Sequence, residues 1–134
     1  ICPSNPFLSI DPILAVDGYR QALINCSAPV IAVSPIIGGQ AVKGPTSKIM
    51  GEISMPSTAR AVADYYGELL DGFVFDKADA AEASSASLPS QVTQTLMESF
   101  EDRKSLARDV LAFADELNAR LAKTCFASRQ QRKG

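Results

Sequence analysis

Short, unbroken apolar runs set between amphipathic helical stretches constrain this chain more than any other feature. Pro29-Val30-Ile31-Ala32-Val33 and Gly72-Phe73-Val74-Phe75-Asp76 carry no polar alternation, the pattern of strands covered on both faces. Around them lie helical signals. Asp11-Pro12 reads as an N-cap and a first helical residue. Ile13, Leu14, Val16, Tyr19, Leu23 and Ile24 then recur at helical spacing to about Asn25, with Gly18 as a weak point or kink. A short helix is expected around Thr46–Met50. Pro56-Ser57-Thr58 opens a clearer one, whose stripe is Ala59, Val62, Ala63, Tyr66, Leu69 and Leu70. Residues 78–89 read as a surface helix or a mobile loop, and Gln91–Met97 as a third strand. The longest helix is expected from about Ser99 to Lys123, with Leu106, Val110, Phe113, Leu117 and Leu121 on one face. Helices alternating with buried strands predict an α/β layer fold with a mostly parallel sheet. Three strands make a thin sheet whose edges need cover.

Composition narrows the chemistry. At 134 residues the chain suits one domain. It contains no His, which excludes a Ser-His-Asp triad, a Cys-His dyad and any His metal site within it. A formal charge of −2 gives no electrostatic reason to expect nucleic acid or an anionic membrane as partner. With no Trp, three Tyr and six Phe, a base-stacking single-strand binder is not expected. Cys2, Cys26 and Cys125 form an odd, widely spaced set without a CxxC. They are expected to be buried or partly buried free thiols in a reducing cytosol. No run approaches the ~20 apolar residues of a membrane span, and no basic n-region of a signal peptide precedes Pro3 and Asn5.

Ligands of open α/β sheets sit beyond the carboxyl ends of the strands, and three loops leave strands in that direction. Pro3-Ser4-Asn5-Pro6 runs into Ser9-Ile10-Asp11-Pro12, where the Asp11 helix start would offer free N–H groups to an anion. Ser34-Pro35 leads through Gly38-Gly39 to Lys43-Gly44-Pro45, with amides and a compact positive charge for a phosphate. The third is Asp76-Lys77-Ala78-Asp79. Each has a plainer reading. Ser-Asn between prolines is ordinary turn chemistry; Gly-Gly with a distant Lys is not a Walker A loop; Asp76 and Asp79 more often cap a helix than ligate a metal. Tyr65-Tyr66 fits core and helix face better than a stacking platform.

The blocks Pro3-Ser4-Asn5-Pro6, Ser9–Val16, Val33-Ser34-Pro35-Ile36-Ile37-Gly38-Gly39 and Ala41-Val42-Lys43-Gly44-Pro45 resemble the carboxy-terminal half of 2-phospho-L-lactate transferases. Ala63-Asp64-Tyr65-Tyr66, Phe73–Asp76 with Asp79, Thr95-Leu96-Met97 and Leu106-Ala107 extend the resemblance to about Phe113. It implies a Rossmann-like three-layer fold with a mostly parallel sheet, present here as the C-terminal half. The implied activity lies in coenzyme F-420 biosynthesis. A phospholactyl (or phosphoenolpyruvyl) group passes from a guanylylated donor to 7,8-didemethyl-8-hydroxy-5-deazariboflavin, and GMP leaves. Such transfer relies on positioning and charge neutralisation, with no call for a His nucleophile. The resemblance further implies that Ser4, Asn5, Pro6, Ser9 and Ser34 border the nucleotide or donor, and that Gly38, Gly39 and Gly44 lie near the diphosphate or acceptor. Lys43 would be the catalytic cation and Mg²⁺ the cofactor, its ligands outside this chain.

The resembled enzymes are about twice as long, and their amino-terminal half carries the glycine-rich nucleotide loop and acidic metal ligands. Residues 1–134 are therefore expected to be the carboxy-terminal half of such a domain, with 124–134 a disordered tail. Ile1-Cys2 would end a strand of the other half. The chain alone is expected to be inactive, cytoplasmic, and partnered by the missing half, a second copy, or both. Two alternatives remain: a nucleotide-sugar-binding regulator of the same superfold, and a structural half-domain.

Overall fold

The structure, a computed structural model, describes residues 1–131, with side chains described through Arg120. Its centre is a parallel sheet of β1 (Ile31–Val33), β4 (Gly72–Asp76) and β5 (Ser90–Thr93), in the order β1-β4-β5. Between β1 and β4 the chain forms an antiparallel hairpin, β2 (Ile36–Ile37) and β3 (Gln40–Ala41), then helices α3 (Thr46–Glu52) and α4 (Ala59–Tyr66). Helix α5 (Ala80–Ser84) links β4 to β5, and α6 (Phe100–Gln131) closes the chain.

The continuous apolar runs are covered on both sides, as their pattern requires. Ala32, Phe73 and Phe75 face a layer that includes Ile36, Met50, Val62, Tyr66 and Leu69. Ile31, Val33 and Val74 face α6 through Leu106, Phe113 and Leu117. The result is the three-layer α/β arrangement expected, and the apolar stripes of α4 and α6 are its outer layers. Leu121, placed on the same stripe by the sequence, has a side chain outside the described residues. Gly72 marks where α6 comes closest: a Cβ there would stand 2.8 Å from both Phe113 and Leu117. A pair of backbone bonds sets Ile1 beside the outer edge of β1, its N donating to the Ile31 carbonyl and its carbonyl accepting from Val33 N–H.

The first helix departs from expectation. It begins at Pro6 as a π-helical turn, Pro6–Ile10, running into α1 (Asp11–Leu14). Asn5, rather than Asp11, is the cap: its Oδ1 accepts from Phe7 and Leu8 N–H at 2.9 and 3.0 Å. The Ser9 and Ile10 amides reach the Asn5 carbonyl and the Asp11 amide reaches Pro6, so no free helix start exists at Asp11. Gly18, at φ 75°, breaks the expected helix outright and starts α2 (Tyr19–Ile24). Helix α6 begins one residue after Ser99, and the tail expected at 124–134 overlaps its last turns, with residues 132–134 outside those described. Cys2 and Cys26 are exposed free thiols rather than buried ones, while the Cys125 side chain is outside the described residues. No described helix is long and apolar enough to cross a membrane.

Candidate functional site

A cleft of about 460 Å³ opens at the carboxyl ends of the strands. One wall is Pro3, Ser4, Asn5, Leu8 and Ser9; a second is Ile37 with Val42–Thr46; the third is Thr95-Leu96-Met97, with Ser34 and Pro35 between. Local chemistry places each wall. Pro6 is preset for the first helical position and Asn5 caps it, which holds Ser4 and Ser9 at the rim. Gly38 and Gly39, at φ 57° and 77°, make the two-residue turn that reverses the chain between β2 and β3. The reversal returns Val42 and Lys43 to the cleft. Gly44, at φ 73°, turns the backbone into α3, and Ser47 Oγ accepts from the Ala41 N–H at 2.8 Å.

Ser4, Asn5, Ser9, Ser34, Lys43 and Gly44 thus meet at one cleft. Pro6, Gly38 and Gly39 do not line it. Pro6 is buried at the start of the π-helical turn. The Gly38 N–H is already held by both oxygens of Asp79, at 3.0 and 3.1 Å, so it is not open to a phosphate. The Gly39 carbonyl accepts from Ser57 Oγ at 2.9 Å. Ser34 lies on the cleft, but its hydroxyl is closed on Ile36, donating to the carbonyl and accepting from the N–H.

Among the polar groups, Asn5 stands out. Two N–H donors fix its Oδ1, which identifies the remaining atom as Nδ2. That Nδ2 is buried without any hydrogen-bond partner. An unmet buried donor costs about 1–3 kcal/mol, and this one belongs to a residue of the cleft lining. Lys43 is exposed and makes no ion pair with the described carboxylates. No Asp or Glu lines the cleft. Its polar surface is therefore donor-rich and positive, while Leu8, Ile37, Val42 and Met97 give it apolar walls.

Asp76 and Asp79 flank the cleft from behind. Burial pushes the Asp76 carboxyl up, but hydrogen bonds from Ala78, Thr95 and Leu96 amides and the Thr95 hydroxyl outweigh it and hold it below its ordinary value. Burial raises the Asp79 carboxyl; the Gly38 amide opposes this, and the Glu82 and Asp76 charges add to it. Asp76 caps the 3-10 turn, as the plainer reading expected, whereas Asp79 makes no side-chain cap and holds the Gly38 amide instead. The cleft does not fit the Mg²⁺ that the resemblance implies: its lining offers no carboxylate, and no described group of three or more His, Cys, Asp or Glu could hold a metal. Tyr66 is buried in the core, and burial raises its hydroxyl. Tyr65 packs edge-on to Phe7 and donates to Asp11, a bond that with burial and the Asp11 charge pushes its hydroxyl up to about 12 against the opposing Arg20 charge.

Thr46 and Thr95–Met97 were not singled out as site residues from sequence. The signal for Thr95 was present: it follows a strand, where ligands of such sheets bind. Extending that strand to Met97 hid the strand end, which falls at Thr93.

Comparison with known proteins bears on this geometry. The family model for 2-phospho-L-lactate transferase CofD matches residues 1–114. A phosphoenolpyruvate transferase of Streptomyces griseus is 38% identical over 121 residues, covering 87% of this chain and 38% of the relative. A 2-phospho-L-lactate transferase of Methanosarcina acetivorans is 41% identical over 118 residues, covering 86% and 38%. That of Methanocaldococcus jannaschii is 32% identical over 117 residues, covering 87% and 37%. The matched stretch thus spans less than half the length of each of these relatives.

Proposed function

The chain belongs to the 2-phospho-L-lactate transferase family, and from that premise we propose that its cleft forms part of the site where a phospholactyl or phosphoenolpyruvyl group is transferred in coenzyme F-420 biosynthesis. The observation that carries this reading is a cleft lined without any carboxylate that includes Asn5, whose buried amide nitrogen has no partner. Among the described residues Asn5 Nδ2 lacks an acceptor, Lys43 makes no ion pair with a carboxylate, and no acidic side chain shares the lining. Such a site favours an anion joined to an apolar or planar body, as a nucleoside diphosphate ester and a deazariboflavin are.

In the proposed reaction the primary ribityl hydroxyl of the acceptor attacks the phosphorus that bears the three-carbon acid. One P–O bond forms, the bridging P–O bond of the diphosphate breaks, GMP leaves, and the hydroxyl proton is released. This chain's share is to bind and orient. Asn5 donates to a donor oxygen, and Lys43 neutralises charge as the diphosphate opens. Leu8, Ile37, Val42 and Met97 keep water from one side of the cleft. The remainder of a full-length transferase, in this proposal, supplies the opposite side. A cytoplasmic setting belongs to the same reading, since a reducing compartment keeps the exposed thiols of Cys2 and Cys26 free.

The test is a calorimetric titration of guanosine diphosphate into the full-length protein that contains this chain, for the parent and Asn5→Asp. The substitution keeps the cap acceptor and replaces the Nδ2 donor by an anionic oxygen. Binding by the parent, weakened at least about tenfold in the variant, is expected for a lost charge-assisted donor. Equal affinities would remove Asn5 and the cleft from the site.

A further inference from the structure

Asp76 and Asp79 are each 5% exposed and neither lines the cleft, yet each holds backbone that builds it. They sit at the carboxyl end of β4, at either end of a single 3-10 turn whose N-cap is Asp76. The Asp76 Oδ1 accepts from Ala78 N–H at 2.9 Å, which fixes the carboxylate. Its Oδ2 accepts from the Thr95 N–H at 2.8 Å and the Thr95 hydroxyl at 2.9 Å. Thr95 begins the wall that continues into Leu96 and Met97. Asp79 turns the other way, and both its oxygens accept from the Gly38 N–H. Gly38 is the tip of the hairpin whose return strand delivers Val42 and Lys43 to the facing wall.

We infer that Asp76 and Asp79 are positioning residues, a carboxylate brace on which both walls of the cleft hang: Thr95–Met97 through Asp76, the Lys43 wall through Asp79. Charged acceptors suit this task, because bonds to an ionised carboxylate are roughly twice as strong as neutral ones. Common attachment to one strand end also fixes the distance between the walls. The hairpin keeps two further ties, Ser57 Oγ to the Gly39 carbonyl and the Ala41 N–H to Ser47 Oγ. Loss of Asp79 therefore loosens the tip without releasing the segment. The role of the brace in ligand binding rests on the reading of the cleft given above.

Hydrogen exchange by mass spectrometry on the full-length protein tests the brace without reference to any ligand. In Asp79→Ala, amides of residues 36–43 exchange at least about tenfold faster while 94–97 keep their protection, the scale of one lost charge-assisted bond. Asp76→Ala reverses the pattern, and Asp79→Asn, which retains an acceptor for Gly38, returns 36–43 to within about threefold of the parent. Unchanged exchange of 36–43 in Asp79→Ala, or a uniform rise along the chain, overturns the brace. Where Asp76→Ala does not fold, Thr95→Val removes only the hydroxyl bond, and unchanged protection at Leu96 overturns the Asp76 half. Guanosine diphosphate titration completes the test. Both alanine variants are expected to bind at least about fivefold more weakly and Asp79→Asn near the parent. Local loosening with parental affinity overturns the positioning role. A parent that does not bind the nucleotide overturns the ligand reading instead, and the exchange data still decide the brace.

Discussion

Asn5 splits one amide between two settings: its oxygen starts a helix, and its nitrogen is buried without a partner in a residue that lines the cleft. Substitutions separate the two. Asn5→Ala loses the cap, worth about 1 kcal/mol, together with the donor, so stability and ligand binding should fall together. Asn5→Asp keeps the cap but sets a carboxylate oxygen at the buried Nδ2 position, so a fall in its urea midpoint reports the burial of that oxygen and not the cap. Lys43 is the simpler case. Its side chain is exposed, so Lys43→Met should change stability by no more than about 0.5 kcal/mol. Steady-state assays of the full-length enzyme should nevertheless show kcat/KM lowered by about 10- to 100-fold, the range for losing one group that neutralises developing charge. Lys43 and Asn5 could be picked out from sequence because donors beside Gly and Pro in strand-exit loops have a recognisable chemistry. That the Asn5 nitrogen lacks a partner could not, since it depends on what packs around it.

At the scale of elements, backbone conformation and close packing decide the outcome. Gly38 and Gly39 both have positive φ, which costs an L residue roughly 1–2 kcal/mol. The sequence reading assigned them to a phosphate, and the structure assigns them to a hairpin turn. Two glycines between short apolar segments are consistent with either use, and only the Asp79 carboxylate seated on the Gly38 amide distinguishes them. Gly72 was legible as part of a buried strand but not as a contact point. Gly72→Ala puts a methyl against the Phe113 ring and Leu117. Overpacking of this kind costs about 1–3 kcal/mol, so thermal melts should show a clear loss of Tm. Thr58 offers a comparison: its Oγ1 accepts from the Ala61 N–H at the start of α4. Thr58→Ala should cost about 1 kcal/mol, and the Pro-Ser-Thr signal predicted that start directly. Where a cap and a stripe agreed, as in α4, the element was foreseen; where Gly18 interrupted the stripe, a single helix was expected and two formed.

For the molecule as a whole, Asp76 and Asp79 give folding stability opposite dependences on acid. Hydrogen bonds hold the Asp76 carboxyl below its ordinary value of 3.8. It therefore contributes stability that is present above pH 3.8 and lost as pH falls through its depressed value. Asp79 is raised above 3.8. The folded state there holds its proton more tightly than the unfolded chain does, so this contribution is full below pH 3.8 and declines as pH rises through the raised value. Urea denaturation between pH 2.5 and 7, roughly the span over which carboxylates titrate, should show Asp76→Asn with less stability at neutral pH and a shallower acid loss. Asp79→Asn should flatten the curve above pH 3.8, where the raised Asp79 carboxyl would otherwise lose its proton. Steeper acid loss in Asp76→Asn would contradict this account.

The sequence by itself determined the fold class, the order of the three sheet strands and of helices α3, α4 and α6 along the chain, the apolar faces and the family. Periodicity, caps and turn residues act over a few positions, and each leaves a local mark. Motif order along the chain carries the kinship. Only the tertiary structure decided which of those pieces meet. Parallel pairing of β1, β4 and β5 brings Ser4 and Asn5, Lys43, and Thr95 to one cleft from distant parts of the chain, and the fold sets Asp76 and Asp79 behind it rather than in it. Such placement arises from long-range packing and hydrogen bonding, where each side chain's role depends on neighbours that no local spacing specifies.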